Sequence, residues 1–151
     1  MGNAAYILRP KQDVAYISDH ITVRQALERM RRSGYTEVPV ISRDGRYQGT
    51  VSEGDFLWFI LDSGLEGDAL SDLLKRTKVS ALTQRRRNPP ARITSPMEEL
   101  LRQSVNQNFI PILDDRDMFI GIVVRGDIIR YFAEKIRHTL RPEEARPAQA
   151  S

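Results

Sequence analysis

The chain repeats itself. Shifted by 72 residues, Ile21-Thr22 falls on Ile93-Thr94, Pro39 on Pro111, Gly49 on Gly121, Val51 on Val123 and Gly54-Asp55 on Gly126-Asp127. From Val38 to Ile60 the match runs without a gap, and apolar positions agree where identities do not. A period this long, present only twice, is not a solenoid. Two copies of a small α/β unit, each unable to bury its apolar face alone, predict packing about a pseudo-twofold axis. Any cleft between the copies then occurs twice.

Composition narrows the classes. With 151 residues, 40% hydrophobic and 28% charged, the chain suits one compact soluble module. Zero cysteines exclude a disulfide framework, thiolate metal sites and thiol catalysis. The two histidines, His20 and His138, stand outside any ligand spacing, and no apolar run approaches the ~20 residues that span a bilayer. No signal-like N-terminus is seen, and a cytoplasmic location is expected.

The net charge of +3 is unevenly spread. Lys75, Arg76, Lys78, Arg85, Arg86, Arg87 and Arg92 fall between Leu73 and Met97 with no acidic residue among them; without them 16 basic residues face 20 acidic ones. The tract reads either as a solvated linker or as an anion site. Nothing aromatic interleaves the arginines, so single-strand nucleic-acid stacking has little support.

Each copy reads as β-α-β-β-α. In the first, Val14 to Ile17 suggests an entering strand, and Thr22 caps a helix with Val23, Ala26, Leu27 and Met30 at helical spacing. Gly34 ends that helix. Val38–Ile41 and Tyr47–Val51 flank the hairpin turn Asp44-Gly45. Ser52 and Asp55 form a capping box ahead of Phe56 to Leu61, a stretch apolar on nearly every side. Leu65 to Leu74 suggests a short helix, and Asn88-Pro89-Pro90 breaks regular structure.

In the second copy, Ala91 to Ile93 is the entering strand. A helix from about Pro96 carries Met97, Leu100, Leu101 and Val105, two residues out of register with its counterpart. Phe109–Leu113 and Met118–Val124 form the hairpin, with Asp114-Asp115-Arg116-Asp117 as a turn lacking calcium-ligand spacing. The last helix places Ile128, Ile129, Phe132, Ala133 and Ile136 on its buried side. The predicted organisation is a module over residues 1–138, with repeat one at about 14–62, a linker at about 63–90, repeat two at about 91–138, and a flexible tail over 139–151.

This order, twice over, resembles the tandem CBS-domain pair, or Bateman module. The resemblance rests on Gly34-Tyr35-Thr36-Glu37-Val38-Pro39-Val40 and Asn108-Phe109-Ile110-Pro111-Ile112, on the hairpins, and on Gly49-Thr50-Val51-Ser52-Glu53-Gly54-Asp55 and Gly121-Ile122-Val123-Val124-Arg125-Gly126-Asp127. It covers about residues 14 to 137. A narrower likeness is to stand-alone bacterial CBS-pair proteins that bind cyclic di-AMP, carried by Val14-Ala15-Tyr16, Gly34-Tyr35-Thr36, Ser95-Pro96-Met97, Arg125 and the helix ending near Lys135-Ile136-Arg137. The chain departs from that pattern at Gly126-Asp127. Asp127 instead suits a nucleoside-monophosphate site of the wider family.

The resemblance implies adenosine ligands between the copies, with an aspartate accepting ribose hydroxyls and a phosphate by a helix N-terminus. One cleft is then expected to combine Val14, Ala15, Tyr35, Thr36 and Glu37 with Arg125 and Asp127. The other combines Ile93, Thr94, Asn108, Phe109 and Ile110 with Ser52 and Asp55. Asp55 is also explained by capping alone. Asp127 is less so, because Val124 stands where Ser52 does. The first cleft is favoured because Arg125 offers a cation where the second has Glu53.

No catalytic constellation, cofactor site or metal site emerges. The function expected is a non-enzymatic sensor of cyclic di-AMP or AMP, ADP or ATP that acts through a partner protein. The chain ends soon after the module, so no attached enzyme is expected to be regulated in cis. The alternative is a constitutive scaffold or nucleic-acid-associated module using the basic linker. The over-apolar helices at 56–61 and 128–132 predict a homodimer.

Overall fold

The computed structural model describes residues 2–139 in full and the backbone alone of 140–150. Past Thr139, the tail expected over 139–151 lies outside the fully described residues. Ahead of the repeats stands β1 (Arg9–Pro10), flanked by one-turn 3-10 helices at Ala4–Tyr6 and Lys11–Asp13. Repeat one is β2 (Ile17–Ser18), α1 (Val23–Ser33), β3 (Glu37–Ile41), β4 (Tyr47–Ser52) and α2 (Glu53–Ser63). Next come α3 (Gly67–Arg76) and a 3-10 turn at Val79–Ala81. Repeat two is β5 (Ala91–Arg92), α4 (Met97–Ser104), β6 (Phe109–Leu113), β7 (Phe119–Val124) and α5 (Arg125–Ala150).

Local chemistry sets the boundaries. The Thr22 side chain accepts from Gln25 N–H while the Gln25 side chain returns to Thr22, and Gly34 closes α1 at φ 73°. Ser52 and Asp55 form the same reciprocal box at α2. Pro96 precedes α4 without a side-chain cap, so the second helix starts 74 rather than 72 residues after the first. In each repeat the entering strand pairs parallel with the next, Ile17 with Val40 and Ala91 with Ile112. The hairpins are antiparallel, with a register shift at the same place, Val40/Ile41 and Ile112/Leu113.

The repeats are cross-strapped. The N-terminal segment leaves repeat one and pairs β1 with β7, Arg9 opposite Ile122. Ala4 is buried in the core of repeat two with Ile110, Ile112 and Val123. The corresponding segment of the linker lies on repeat one: Val79 and Leu82 enter its core, and Thr50 and Gln84 exchange backbone bonds of 3.1 and 2.9 Å. Burying such side chains contributes about 1.5–3 kcal/mol each. Glycines permit the close approach. A Cβ on Gly121 (φ 151°) would lie 2.1 Å from the Arg9 carbonyl oxygen, and one on Gly49 (φ 141°) 2.6 Å from that of Gln84. Tyr47 and Phe119, counterparts at the 72-residue shift, stack with centroids 6.5 Å apart, which puts the pseudo-twofold axis between their rings.

The structure corrects several expectations. The entering strand of repeat one is Ile17–Ser18 rather than Val14 to Ile17, because only those two residues pair with β3. On α4 the covered stripe is Met97, Leu100 and Ser104, while Leu101 and Val105 (74% exposed) face outward. On α5, Ile128 is buried, but Ile129, Ala133 and Ile136 are exposed. On α2, Phe56 is buried while Leu57, Trp58 (63% exposed) and Leu61 are not. Periodicity marks a residue as apolar without saying which neighbour covers it.

Candidate functional site

Two strand starts from different repeats meet on either side of the pseudo-axis. β3 begins at Glu37 and β6 at Phe109, and each start is tied to the helix of its own hairpin. Glu53 N–H donates to Thr36 O (2.9 Å) and Arg125 N–H to Asn108 O (3.0 Å). Between them lies a cavity of about 180 Å³. Its walls are Val14, Ala15, Tyr35, Thr36, Glu37, Val38 and Pro39 from the first half, and Asn108, Phe109, Ile122 and Val124 from the second, with Arg9 and Asp13 at the mouth. This is below the ~300–1,000 Å³ typical of drug-sized ligand pockets. It suits a flat ring system, with any sugar and phosphate outside at the mouth.

The expected residues divide. Val14, Ala15, Tyr35, Thr36 and Glu37 are together in this cavity, joined by Asn108 and Phe109 from the other expected cleft. Arg125 and Asp127 do not line it. The Arg125 Nε donates to Ser104 O at 2.8 Å, latching α5 to the end of α4. Asp127 stands one side chain back, behind Arg9. The Arg9 guanidinium donates Nε to Asp127 Oδ2 at 2.9 Å and Nη2 to Oδ1 at 3.2 Å, and Arg130 adds a second contact. Arg9, opposed by partial burial and seconded by Arg130, holds the Asp127 carboxyl below the ordinary carboxylate range.

The residues expected in the second cleft are dispersed or occupied. Ile110 is fully buried in the core of repeat two, Ile93 packs against that core, and Thr94 is exposed. Ser52 and Asp55 keep their capping box, Ser52 N–H donating to Asp55 Oδ2 at 2.8 Å. The same carboxylate receives Arg87 Nη1 at 2.7 Å and Nη2 at 3.1 Å. The basic tract is therefore not uniformly solvated. Arg87 is paired, Arg92 donates to Asp114 O and contacts Asp117, and Arg85 and Arg86 remain exposed.

Arg9 is the residue that sequence reasoning missed. It lies outside the 72-residue match, on a strap whose only sequence signal is an apolar pair three residues apart, Ala4/Ile7, echoed by Val79/Leu82. A larger depression of about 550 Å³ runs along α5 past Asp127, Tyr131, Lys135 and His138, but it is shallow and has only Ile7 outside that helix. Among the described residues no cluster of His, Cys, Asp or Glu could hold a metal ion, and no helix is long and apolar enough to cross a membrane.

Known proteins share this architecture. The structure of CbpB in complex with c-di-AMP superposes with a TM-score of 0.80 at 21% identity, over 94% of this chain and 91% of that one. Arabidopsis thaliana CBSX2 in complex with AMP gives 0.72 at 22% identity, over 91% and 100%. At such identities the likeness shows the fold. A homoserine O-acetyltransferase of Methanohalobium evestigatum is 27% identical over 123 residues, 82% of this chain; the chain spans 23% of that relative's length. The CBS domain family matches twice, at residues 6–62 and 79–134, and each match takes in strap residues ahead of its repeat. Two straps, two bulged hairpins and one axis between them are the two copies of that domain: the chain belongs to the CBS domain family and is a tandem CBS pair.

Proposed function

We propose that the chain is an adenine-nucleotide sensor whose ligand sits in the cavity between the two CBS repeats and whose output passes to a partner protein. One observation carries this reading: the cavity has apolar walls from both repeats, and Arg9 stands with Asp13 at its mouth. A ligand there touches both halves at once, so binding energy is linked to their relative geometry. The base enters among Val14, Ala15 and Phe109. Arg9 takes phosphate, since its guanidinium fork suits phosphate oxygens as well as the Asp127 carboxylate it now holds. Asp127, released, accepts ribose hydroxyls. Arg125 is engaged with Ser104 O, which makes Arg9 the better phosphate cation.

Relatives of this fold have been crystallised with cyclic di-AMP and with AMP, and these two are the leading ligand candidates. Such ligands support a cytoplasmic location. Exposed Leu57, Trp58 and Leu61 on α2 and Ile129 and Ile136 on α5 support a homodimer through these helices. Calorimetric titration with AMP, ADP, ATP and cyclic di-AMP tests the sensor reading. Binding of at least one is expected, with Arg9→Ala weakening nucleotides far more than adenosine. No heat from any of the four at millimolar concentration refutes it.

A further inference from the structure

The two clefts are counterparts, yet the chain's own side chains fill the second. Ile17 pairs with Val40 and Ala91 with Ile112, and Val40 and Ile112 are matched by the repeat. Counting back three residues, Asn88 stands where Val14 stands, and Thr50 where Ile122 stands. Two apolar walls of the open cleft are thus polar in the other.

Those polar groups are already used. Asn88 is 5% exposed and adopts φ 55°, a left-handed conformation that asparagine tolerates better than most other side chains. Its Nδ2 donates to Glu37 Oε1 and to Thr50 Oγ1, both at 3.2 Å. The Tyr47 hydroxyl lies 2.9 Å from Arg87 O and 3.0 Å from Asn88 O. Arg87 grips Asp55 with Nη1 and Nη2, on the carboxylate that corresponds to Asp127. Among the described residues no buried side-chain polar atom lacks a partner, so the network is closed.

We propose that Arg87 and Asn88 are a tethered occupant of the second cleft, so that the module takes one nucleotide per chain. The stoichiometry rests on reading the open cleft as the nucleotide site; the closure does not. A free ligand must displace a segment whose effective concentration is of order millimolar or higher. It must also break charge-assisted bonds that the chain makes to itself. Arg87 and Asn88 thereby decide which of two homologous clefts is available.

Amide hydrogen exchange, tyrosine titration and calorimetry with AMP and cyclic di-AMP test this together. In the ligand-free wild type, the Thr50 and Gln84 amides are expected to be protected. Burial pushes the Tyr47 hydroxyl up to about 12, so one tyrosine titrates late. Arg87→Ala should speed exchange at those amides by about tenfold, the scale of a lost charge-assisted bond. It should leave the open-cleft affinity unchanged. Two ligands per wild-type chain, or unchanged exchange in Arg87→Ala, overturns the proposal. If no nucleotide binds the wild type, the sensor reading fails, while exchange still decides whether the linker closes the cleft.

Discussion

Replacing Gly121 with alanine measures how firmly the N-terminal strap is held. Three costs combine. Gly121 has φ 151°, where a Cβ is strained by about 1–3 kcal/mol. The new Cβ would lie 2.1 Å from Arg9 O and 3.0 Å from Leu8 Cδ1, so β1 must lift away from β7. Lifting it loses ladder bonds worth about 1 kcal/mol each and part of the burial of Ile7 and Leu8 against the second core. The total is about 4 kcal/mol. Gly34→Ala is the control: it also has positive φ (73°), but nothing lies within 4 Å, so strain of about 1 kcal/mol stands alone. The unfolded-state effect of Gly→Ala is common to both and cancels. Gly49→Ala, 2.6 Å from Gln84 O, should fall nearer Gly121→Ala than Gly34→Ala. Urea unfolding of the three variants gives the order directly. Equal losses at Gly121 and Gly34 would mean that the strap contributes nothing, and the cross-strapped account fails.

Other expectations follow from the same geometry. Trp58→Asp, on the exposed side of α2, should leave chain stability within ~0.5 kcal/mol and weaken self-association by about 2 kcal/mol or more; a monomeric wild type in sedimentation at high concentration rejects the dimer. Tyr47 has its folded pKa raised to about 12, so its contribution is complete below its unfolded value of ~10 and is lost as pH rises through the folded one. Tyr47→Phe should flatten that alkaline limb in urea midpoints, and an unchanged limb counts against burial of the hydroxyl. Asp127 has a depressed pKa, so its contribution is present above ~3.9 and lost as pH falls through its folded value. Asp127→Asn should therefore remove part of the acid-side decline, and an identical decline would show that the Arg9 pair is idle.

How much was legible differs by element. The hairpins and their order were readable because Gly49 and Gly121, Pro39 and Pro111, and the flanking β-branched residues recur at one spacing. The walls contributed by Val14, Ala15, Tyr35 and Thr36 came with the family pattern. The straps were not readable: Ala4/Ile7 and Val79/Leu82 are too short to show a period, and their partners lie far along the chain. Arg9 therefore escapes the sequence, and Arg125, expected beside a phosphate, has its Nε engaged by Ser104 O. Asn88 looked like a breaker before two prolines. It is in fact buried, bonded to Glu37, Thr50 and Tyr47, three residues of repeat one. Local propensity carries no record of such contacts.

The central claim is that an adenine nucleotide occupies the cavity between the repeats. A crystal structure of the chain with cyclic di-AMP or AMP tests it most directly. The account predicts an adenine ring among Val14, Ala15 and Phe109, a phosphate beside Arg9, and the Arg87–Asp55 pair intact in the other cleft. A nucleotide seated instead against Asp55, with the linker displaced and the Val14 cavity empty, would contradict it.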